Sequence, residues 1–286
     1  MNEKLKVAIQ KSGRLTEESI QLLKEAGINL TKGDGKLISL SSNFPLEILY
    51  LRDDDIPQYI DDNVADIGIV GENIVLERNY SLKILERLGF AKCRLSFAIP
   101  KGETYKDNSY LNGKKIATTY PKILRNYLTT NNIKAEIHEI SGSVEIAPNI
   151  GLADVIFDIV SSGSTLISNG LKEVDTVLQS EAVMIVSPKI TDTKKKILDD
   201  MLFRIKSVMR AKNNKYILLN APNESIEKIC KILPGLKSPS ILPLVEKGWS
   251  SLHSVVNEND FWEIIGKLKD AGAEGILVVP IEKMIK

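Results

Sequence analysis

Histidine and cysteine are scarce in this chain: two of each in 286 residues, at His138, His253, Cys93 and Cys230. They are too few and too scattered for a typical Cys/His metal site, and they fit a reduced, cytoplasmic compartment. Neither charge dominates, with 38 Lys and Arg against 37 Asp and Glu. Electrostatics therefore gives no reason to expect nucleic acid or an anionic membrane as the main partner. No apolar run approaches the ~18 residues of a membrane helix. The N-terminal MNEKLKVAIQKSGR reaches charge too early for a secretory signal. No Ser-His-Asp or Cys-His set stands out, and a GxxxxGK loop followed by Ser or Thr is missing, so acyl transfer and ordinary kinase chemistry lose ground.

What is present is a repeat. LKVAI at 5–9 reads as a strand, QKSGR as a loop, and TEESIQLLKEAGI as a helix. Thr16 is its expected N-cap, Ile20, Leu22, Leu23 and Ala26 its apolar face, and Gly27 its stop. KKIAT, TYP and KILRNYLTTNNI repeat the order, with Ile123, Leu124, Tyr127 and Leu128 inward. VADIGIVGENI at 64–74 and LADVIFDIVSSGST at 152–165 share an Ala-Asp, then a strand ending in polar, Gly-containing residues. The expectation is two α/β lobes of one architecture. Ligands of such sheets sit off the carboxyl ends of the strands, so QKSGR, GEN, TTYP and SSGST should point into one cleft. Past residue 210 the order is β-α-β-β-α-β, the pattern of a ferredoxin-like module, with RAKNNK at 210–215 as its linker.

SSGST at 161–165 offers backbone N–H groups and hydroxyls at a helix start, where the dipole also favours an anion. Asp158 precedes it on the strand. A carboxylate there cannot bind phosphate, but it can accept hydrogen bonds from sugar hydroxyls or hold a magnesium ion. A ribose 5-phosphate needs one acid beside one phosphate cradle. A capped strand–turn–helix corner would read the same way, and the motif alone leaves both open. Lys11 and Arg14 in QKSGR suit a polyphosphate or a solvated basic loop. Arg52 ends the strand LEILYL, ahead of three acids that read mainly as caps for a helix starting near Ile56. Glu72, beside Gly71 in GEN, can meet a base or sugar, and Tyr120 can stack on a base. His138 reads as a surface residue.

These segments resemble the long form of the ATP phosphoribosyltransferase family, over essentially the whole chain. The resemblance rests on QKSGRL at 10–15, RDDDIP at 52–57, ADIGIVGEN at 65–73, CRLS at 93–96 and NGKKIATTYP at 112–121. ILP and PIEKM continue it in the C-terminal part. Its most specific element is the signature in SVEIAPNIGLADVIFDIVSSGSTL, from Glu145 through Gly151 and Asp158 to Ser162, Gly163 and Thr165.

The resemblance implies an α/β, two-lobed, periplasmic-binding-protein-like catalytic core and a C-terminal ferredoxin-like (ACT-like) regulatory domain. Lobe I would take residues 1–96 and 181–209, lobe II 97–180, and the regulatory domain 210–286. The implied reaction joins ATP and phosphoribosyl pyrophosphate, with pyrophosphate leaving alongside magnesium carried on substrate phosphates and no assigned protein ligand. Carried over, Ser161, Ser162, Gly163, Ser164 and Thr165 hold the 5-phosphate and Asp158 the ribose hydroxyls. Lys11, Arg14 and Arg52 meet phosphates of ATP or the pyrophosphate, and Gly71, Glu72 and Tyr120 border the adenine or the reacting ribose. Histidine, as feedback inhibitor, would meet Asn220, Leu236, Ser240 and Gly275, and homodimers would assemble into homohexamers. The competing reading is a non-catalytic two-lobed protein that senses a phosphorylated metabolite. A different phosphoribosyltransferase fits less well, because such enzymes usually carry paired acids before a Thr-Gly loop and here Phe157 precedes a single acid.

Overall fold

Short aliphatic runs, LKVAIQ, LEILYL, IGIVG, KIAT and VIFDIV, become buried parallel strands in a computed structural model that describes residues 3–31, 37–233 and 235–285. The chain begins β1 (Leu5–Gln10), α1 (Arg14–Glu25), β2 (Leu30–Thr31), β3 (Ile38–Ser41), β4 (Leu46–Leu51), α2 (Ile56–Asp61), β5 (Ile67–Gly71), α3 (Glu72–Arg78) and β6 (Lys83–Arg87). It continues with β7 (Cys93–Pro100), β8 (Lys115–Thr118), α4 (Pro121–Thr130), β9 (Glu136–Glu139), β10 (Val155–Val160), α5 (Ser164–Ser168) and β11 (Leu171–Ser180). The last elements are β12 (Ala182–Val186), α6 (Asp192–Lys212), β13 (Asn214–Pro222), α7 (Ile226–Ile232), β14 (Ser240–Pro243), β15 (Trp249–Asn257), α8 (Phe261–Asp270) and β16 (Glu274–Pro280). None of the described helices is long and apolar enough to cross a membrane.

Two compact units result: Met1–Gln21 with Asn29–Ile197, and Leu22–Ile28 with Leu198–Lys286. The first unit holds two sheets, ordered β2-β3-β4-β1-β5-β12-β6 and β11-β7-β10-β8-β9. Within them β4-β1-β5-β12-β6 and β9-β8-β10-β7-β11 match strand for strand. Each set has three parallel strands followed by two in antiparallel pairing. This is the repeat that the sequence predicts.

The shared Ala-Asp has a structural cause. Asp66 accepts a hydrogen bond from the Lys6 N–H at 2.8 Å, and Asp154 accepts one from the Lys115 N–H at 2.9 Å. Each aspartate thus starts the pairing of its strand with the neighbouring parallel strand and sets its register. The two copies differ four residues further on, where the first has Val70 and the second Asp158. Val70 is fully buried, so the strand position itself is satisfied by an apolar side chain.

The chain passes twice between these sheets, from β6 to β7 and from β11 to β12. Buried Asn73, at the start of α3, ties the passages together. Its N–H donates to Ser180 Oγ at 3.0 Å, its Oδ1 accepts from the same hydroxyl at 2.9 Å, and its Nδ2 donates to Tyr120 Oη at 3.0 Å. Buried Glu77 reaches from α3 to the first turn of α4, accepting from the Lys122 N–H at 2.9 Å and the Ile123 N–H at 3.0 Å. It satisfies two of the N–H groups that a helix start leaves unpaired. Leu124, Leu128, Phe97 and Phe157 bury in a core shared with Ile56 of α2 and with Val70 and Ile185 of the first sheet.

In the second unit, β14-β15-β13-β16 is fully antiparallel, the strand order of a ferredoxin-like module. Helices α7 and α8 cover one face, burying Ile229 and Leu268 with Ile217, Leu219, Leu252 and Val256.

Two local expectations change. Thr16 does not cap α1, which begins at Arg14. Its hydroxyl donates to the Gln10 carbonyl at 2.8 Å, and the Gly13 carbonyl, at a residue with φ +102°, accepts the first helical N–H groups instead. RAKNNK is no loose connection, since its first residues form the last turn of α6 and Asn214 already begins β13.

The Glu77 cap can be tested directly. Glu77→Ala leaves two N–H groups of α4 without their partner and should lower stability by about 1–2 kcal/mol. Urea unfolding measures this, and Glu77→Gln, which keeps one acceptor oxygen, should fall between the two.

Candidate active site

The parallel strands β1, β4, β5, β8 and β10 deliver their carboxyl ends to one side of their sheets, and two cavities open there. The first, about 320 Å³, is lined by Asp158, Ser161, Ser162, Gly163 and Thr165, with Glu145 opposite. The second, about 500 Å³, lies between elements of the two sheets, with Arg52, Asp53 and Arg78 on one side and Thr119, Tyr120 and Ser141 on the other. They adjoin at one hydrogen bond, in which Thr119 Oγ1 donates to Asp158 Oδ1 at 2.9 Å.

The loop after β10 is built from small residues because its backbone turns sharply. Gly163 has φ +80°, a left-handed conformation that costs a residue with a Cβ roughly 1–2 kcal/mol. Ser162 Oγ and Ser164 Oγ lie 2.9 Å apart, and the Ser164 N–H is directed at Ser162 Oγ at 3.4 Å. The expected helix dipole is small, because α5 has only five residues. Backbone N–H groups and hydroxyls, rather than a helix dipole, are therefore what the loop has to offer an anion.

The other residues singled out in the sequence are distributed as follows. Arg52 lines the second cavity. Lys11 and Arg14 are exposed on the β1–α1 loop, with Arg14 Nε 3.4 Å from Glu18 Oε2, and neither lines these cavities. Gly71 precedes α3 in extended backbone, and a Cβ there would collide with Asn73 Oδ1. Glu72 pairs with Arg87 rather than standing free for a base. Tyr120 is only 7% exposed and its hydroxyl is held by Asn73, which leaves little of the ring open for stacking. His138 lies on β9, half-buried beside Glu136. Sequence reasoning overlooked Thr119 and Asn73. The second threonine of TTYP and the Asn of GEN were in view, but their partners are 39 and 107 residues away.

In the second unit Asn220 on β13 pairs with Glu274 on β16. The next residue, Gly275, has φ +56°, and a Cβ on it would sit 3.5 Å from Asn220 Nδ2. Ser240 opens β14 opposite His253, on the sheet face that also carries Asn220, and Leu236 is exposed in the segment before β14. Pro234 of that segment lies outside the described residues. His253, unassigned by sequence, is bracketed by Tyr216 Oη at 2.7 Å and Ser251 Oγ at 3.2 Å.

Burial raises the pKa of Asp158 above the ordinary aspartate value, opposed by hydrogen bonds from the Ile159 N–H and Thr119 and reinforced by Glu145. The folded protein thus binds the Asp158 proton more tightly than the unfolded chain does. Stability contributed by this group is complete below the unfolded pKa and is lost as pH rises through the folded one. Ionising this carboxylate is less favourable in the folded protein than in the unfolded chain. Asp158→Asn should therefore raise the thermal midpoint at pH 7, and the gain should shrink as pH falls through the acidic range, as read by thermal unfolding across pH.

The family model for ATP phosphoribosyltransferase (HisG) matches residues 52–207, and that for the HisG C-terminal domain matches 211–283. The ATP phosphoribosyltransferase of Cytophaga hutchinsonii is 60% identical over 286 residues, covering all of both chains. That of Bacteroides thetaiotaomicron is 57% identical over 281 residues, 98% of this chain and 99% of the other. Among solved structures, the ATP phosphoribosyl transferase (HisG:HisZ) complex from Thermotoga maritima aligns with a TM-score of 0.63 at 30% identity, over 72% of this chain and 98% of that one. A histidine kinase sensor domain with similarity to periplasmic binding proteins shares the two-lobed fold, at a TM-score of 0.50 and 10% identity over 74% of this chain and 96% of the other. With identity held along its whole length and the signature loop at a cavity, the chain belongs to the ATP phosphoribosyltransferase family.

Proposed function

We propose that the two adjoining cavities hold phosphoribosyl pyrophosphate and ATP, and that adenine N1 attacks the anomeric carbon to give N1-(5-phosphoribosyl)-ATP, the first step of histidine biosynthesis. The new N–C bond forms as the C–O bond to pyrophosphate breaks, its electron pair leaving on the pyrophosphate. A displacement of this kind passes through an oxocarbenium-like state and needs positioning and charge stabilisation rather than a protein nucleophile.

One observation carries the reading: a half-buried carboxylate, Asp158, where the repeat's other copy has a valine, next to a loop of small residues lining a cavity. Asp158 takes the ribose hydroxyls, and Ser161, Ser162, Gly163, Ser164 and Thr165 the 5-phosphate. Arg52, with Lys11 and Arg14 from the β1–α1 loop, meets the phosphates of ATP or the pyrophosphate. Tyr120, on the wall of the second cavity, borders the adenine or the ribose without stacking on it, and Gly71 and Glu72, which line neither cavity, stand beside it at the start of α3. Magnesium arrives on substrate phosphates, as suits a hard cation that keeps much of its water. Among the described residues no group of three or more His, Cys, Asp or Glu is gathered around a common point.

Lobe I takes residues 1–96 with 181–209 and lobe II 97–180, save that Cys93–Ser96, the first half of β7, belong with lobe II's sheet; residues 210–286 form the regulatory domain. Histidine binds that domain at Asn220, Leu236, Ser240 and Gly275, of which Asn220 pairs with Glu274, the residue before Gly275. Exposed Leu242, Leu277 and Val279 on its outer strands support assembly into dimers and hexamers. The scarcity of cysteine supports a cytoplasmic location.

Pyrophosphate release, with each substrate omitted in turn, tests the reaction. Release should need both, and Asp158→Asn should lose about 2–4 kcal/mol of transition-state stabilisation, roughly 30- to 1000-fold in rate. Near-normal turnover in that variant would remove Asp158 from the mechanism, and substrate binding without release by the wild type would make the cleft a sensor. Histidine should inhibit the wild type, and Ser240→Ala should keep turnover while weakening that inhibition. An unchanged histidine response would move the regulatory site elsewhere.

A further inference from the structure

Arg94 opens β7 beside the end of β10, where it pairs with Val160, and on its other side it pairs with Gln179 of β11. Its guanidinium makes three directed contacts. Nε and Nη2 each donate at 2.5 Å to a different oxygen of Glu173, and Nη1 donates at 3.1 Å to the carbonyl of Ser161, the first residue of the SSGST loop. Glu173 is itself oriented. Thr176 Oγ1 lies 3.3 Å from Glu173 Oε1 and 3.1 Å from Ser96 Oγ. Strand β11 is bulged against β7 between Glu173 and Asp175 and again between Thr176 and Leu178. Bulges of this kind re-aim side chains, and here one of the re-aimed residues meets a base far down the neighbouring strand.

This arrangement is specific to the second sheet. The equivalent place in the first sheet is Glu181, whose carbonyl accepts the Glu72 N–H. Strand pairing therefore does not call for an arginine. Arg94, Ser96 and Asp158 also share a face, since Val160 lies opposite Arg94 and Asp158 opposite Ser96. A planar trans peptide fixes the Ser162 N–H opposite to the Ser161 carbonyl, so the group that grips the carbonyl also sets the direction of the first loop amide. A loop of small residues with exposed Ser and Thr is costly to order on binding, and holding its first peptide in place lowers that cost.

We propose that Arg94, locked by Glu173, is a positioning residue that fixes the Ser161–Ser162 peptide and preorganises the loop for the 5-phosphate of phosphoribosyl pyrophosphate. The inference rests on the reading of the first cavity as the phosphoribosyl site. Lysine keeps the charge but not the three-way fork, so Arg94→Lys does not restore the contact set.

The test compares wild type, Arg94→Lys and Glu173→Gln by steady-state kinetics with each substrate varied, alongside thermal unfolding. In Arg94→Lys, KM for phosphoribosyl pyrophosphate should rise about tenfold while KM for ATP stays within about twofold. Glu173→Gln should raise the same KM by about threefold, since it keeps one acceptor oxygen. A purely structural pair would lower the thermal midpoint and the active fraction without separating the two KM values. Unchanged KM for phosphoribosyl pyrophosphate in either variant, or an equal rise in both KM values, overturns the proposal. Titration of wild type and Arg94→Lys with phosphoribosyl pyrophosphate alone separates the two levels of the argument. Equal binding by both proteins overturns only the role of Arg94, whereas a wild type that does not bind overturns the assignment of the cavity and this inference with it.

Discussion

The cleft depends on the hydrogen bonds of one asparagine. Asn73 joins the start of α3 in the first sheet's layer, the end of β11 where the chain leaves the second sheet, and the Tyr120 hydroxyl ahead of α4. All three partners are buried, so breaking any of these bonds leaves polar atoms without water. The network therefore fixes how the carboxyl ends of two strand sets face each other. Glu77 adds a second constraint a turn later by filling the start of α4 from the opposite side. The start of α4, which would otherwise offer N–H groups to an anion, is thereby committed to the protein itself.

Against that base, the residues proposed for the chemistry are those where the repeat departs from its own pattern. Ala65-Asp66 and Ala153-Asp154 do the same structural task in both copies. Val70 against Asp158, and Glu181 against Arg94, are where the second copy diverges. A half-buried carboxylate whose ionisation is disfavoured by its surroundings stands at a position where valine serves the other copy, which is what makes Asp158 the candidate the proposed chemistry rests on.

The sequence was most legible where the signal is local. Aliphatic strands, the β-α-β-β-α-β order and the Ser/Gly/Thr loop after Asp158 could all be read from neighbouring residues. What escaped were pairings made at long range. Glu72 read as a partner for a base or sugar because Arg87 lies 15 residues on, in β6, and Tyr120 as a residue that can stack because Asn73 is 47 residues away. Thr16 has the right chemistry for a cap, but Gly13 takes the cap position three residues earlier. Arg94 was visible only as part of CRLS, since nothing in that motif indicates Glu173, 79 residues on.

The double passage between sheets also orders events in time. Strand β6, residues 83–87, has β12, residues 182–186, as its neighbour in the sheet, and β12 is made only after the whole second sheet. During synthesis, then, β6 emerges about a hundred residues before the strand that will hold it. The first sheet cannot close on its own as the chain leaves the ribosome. The second, which needs only the continuous stretch from β7 to β11, can form first and serve as the template on which the earlier one is completed.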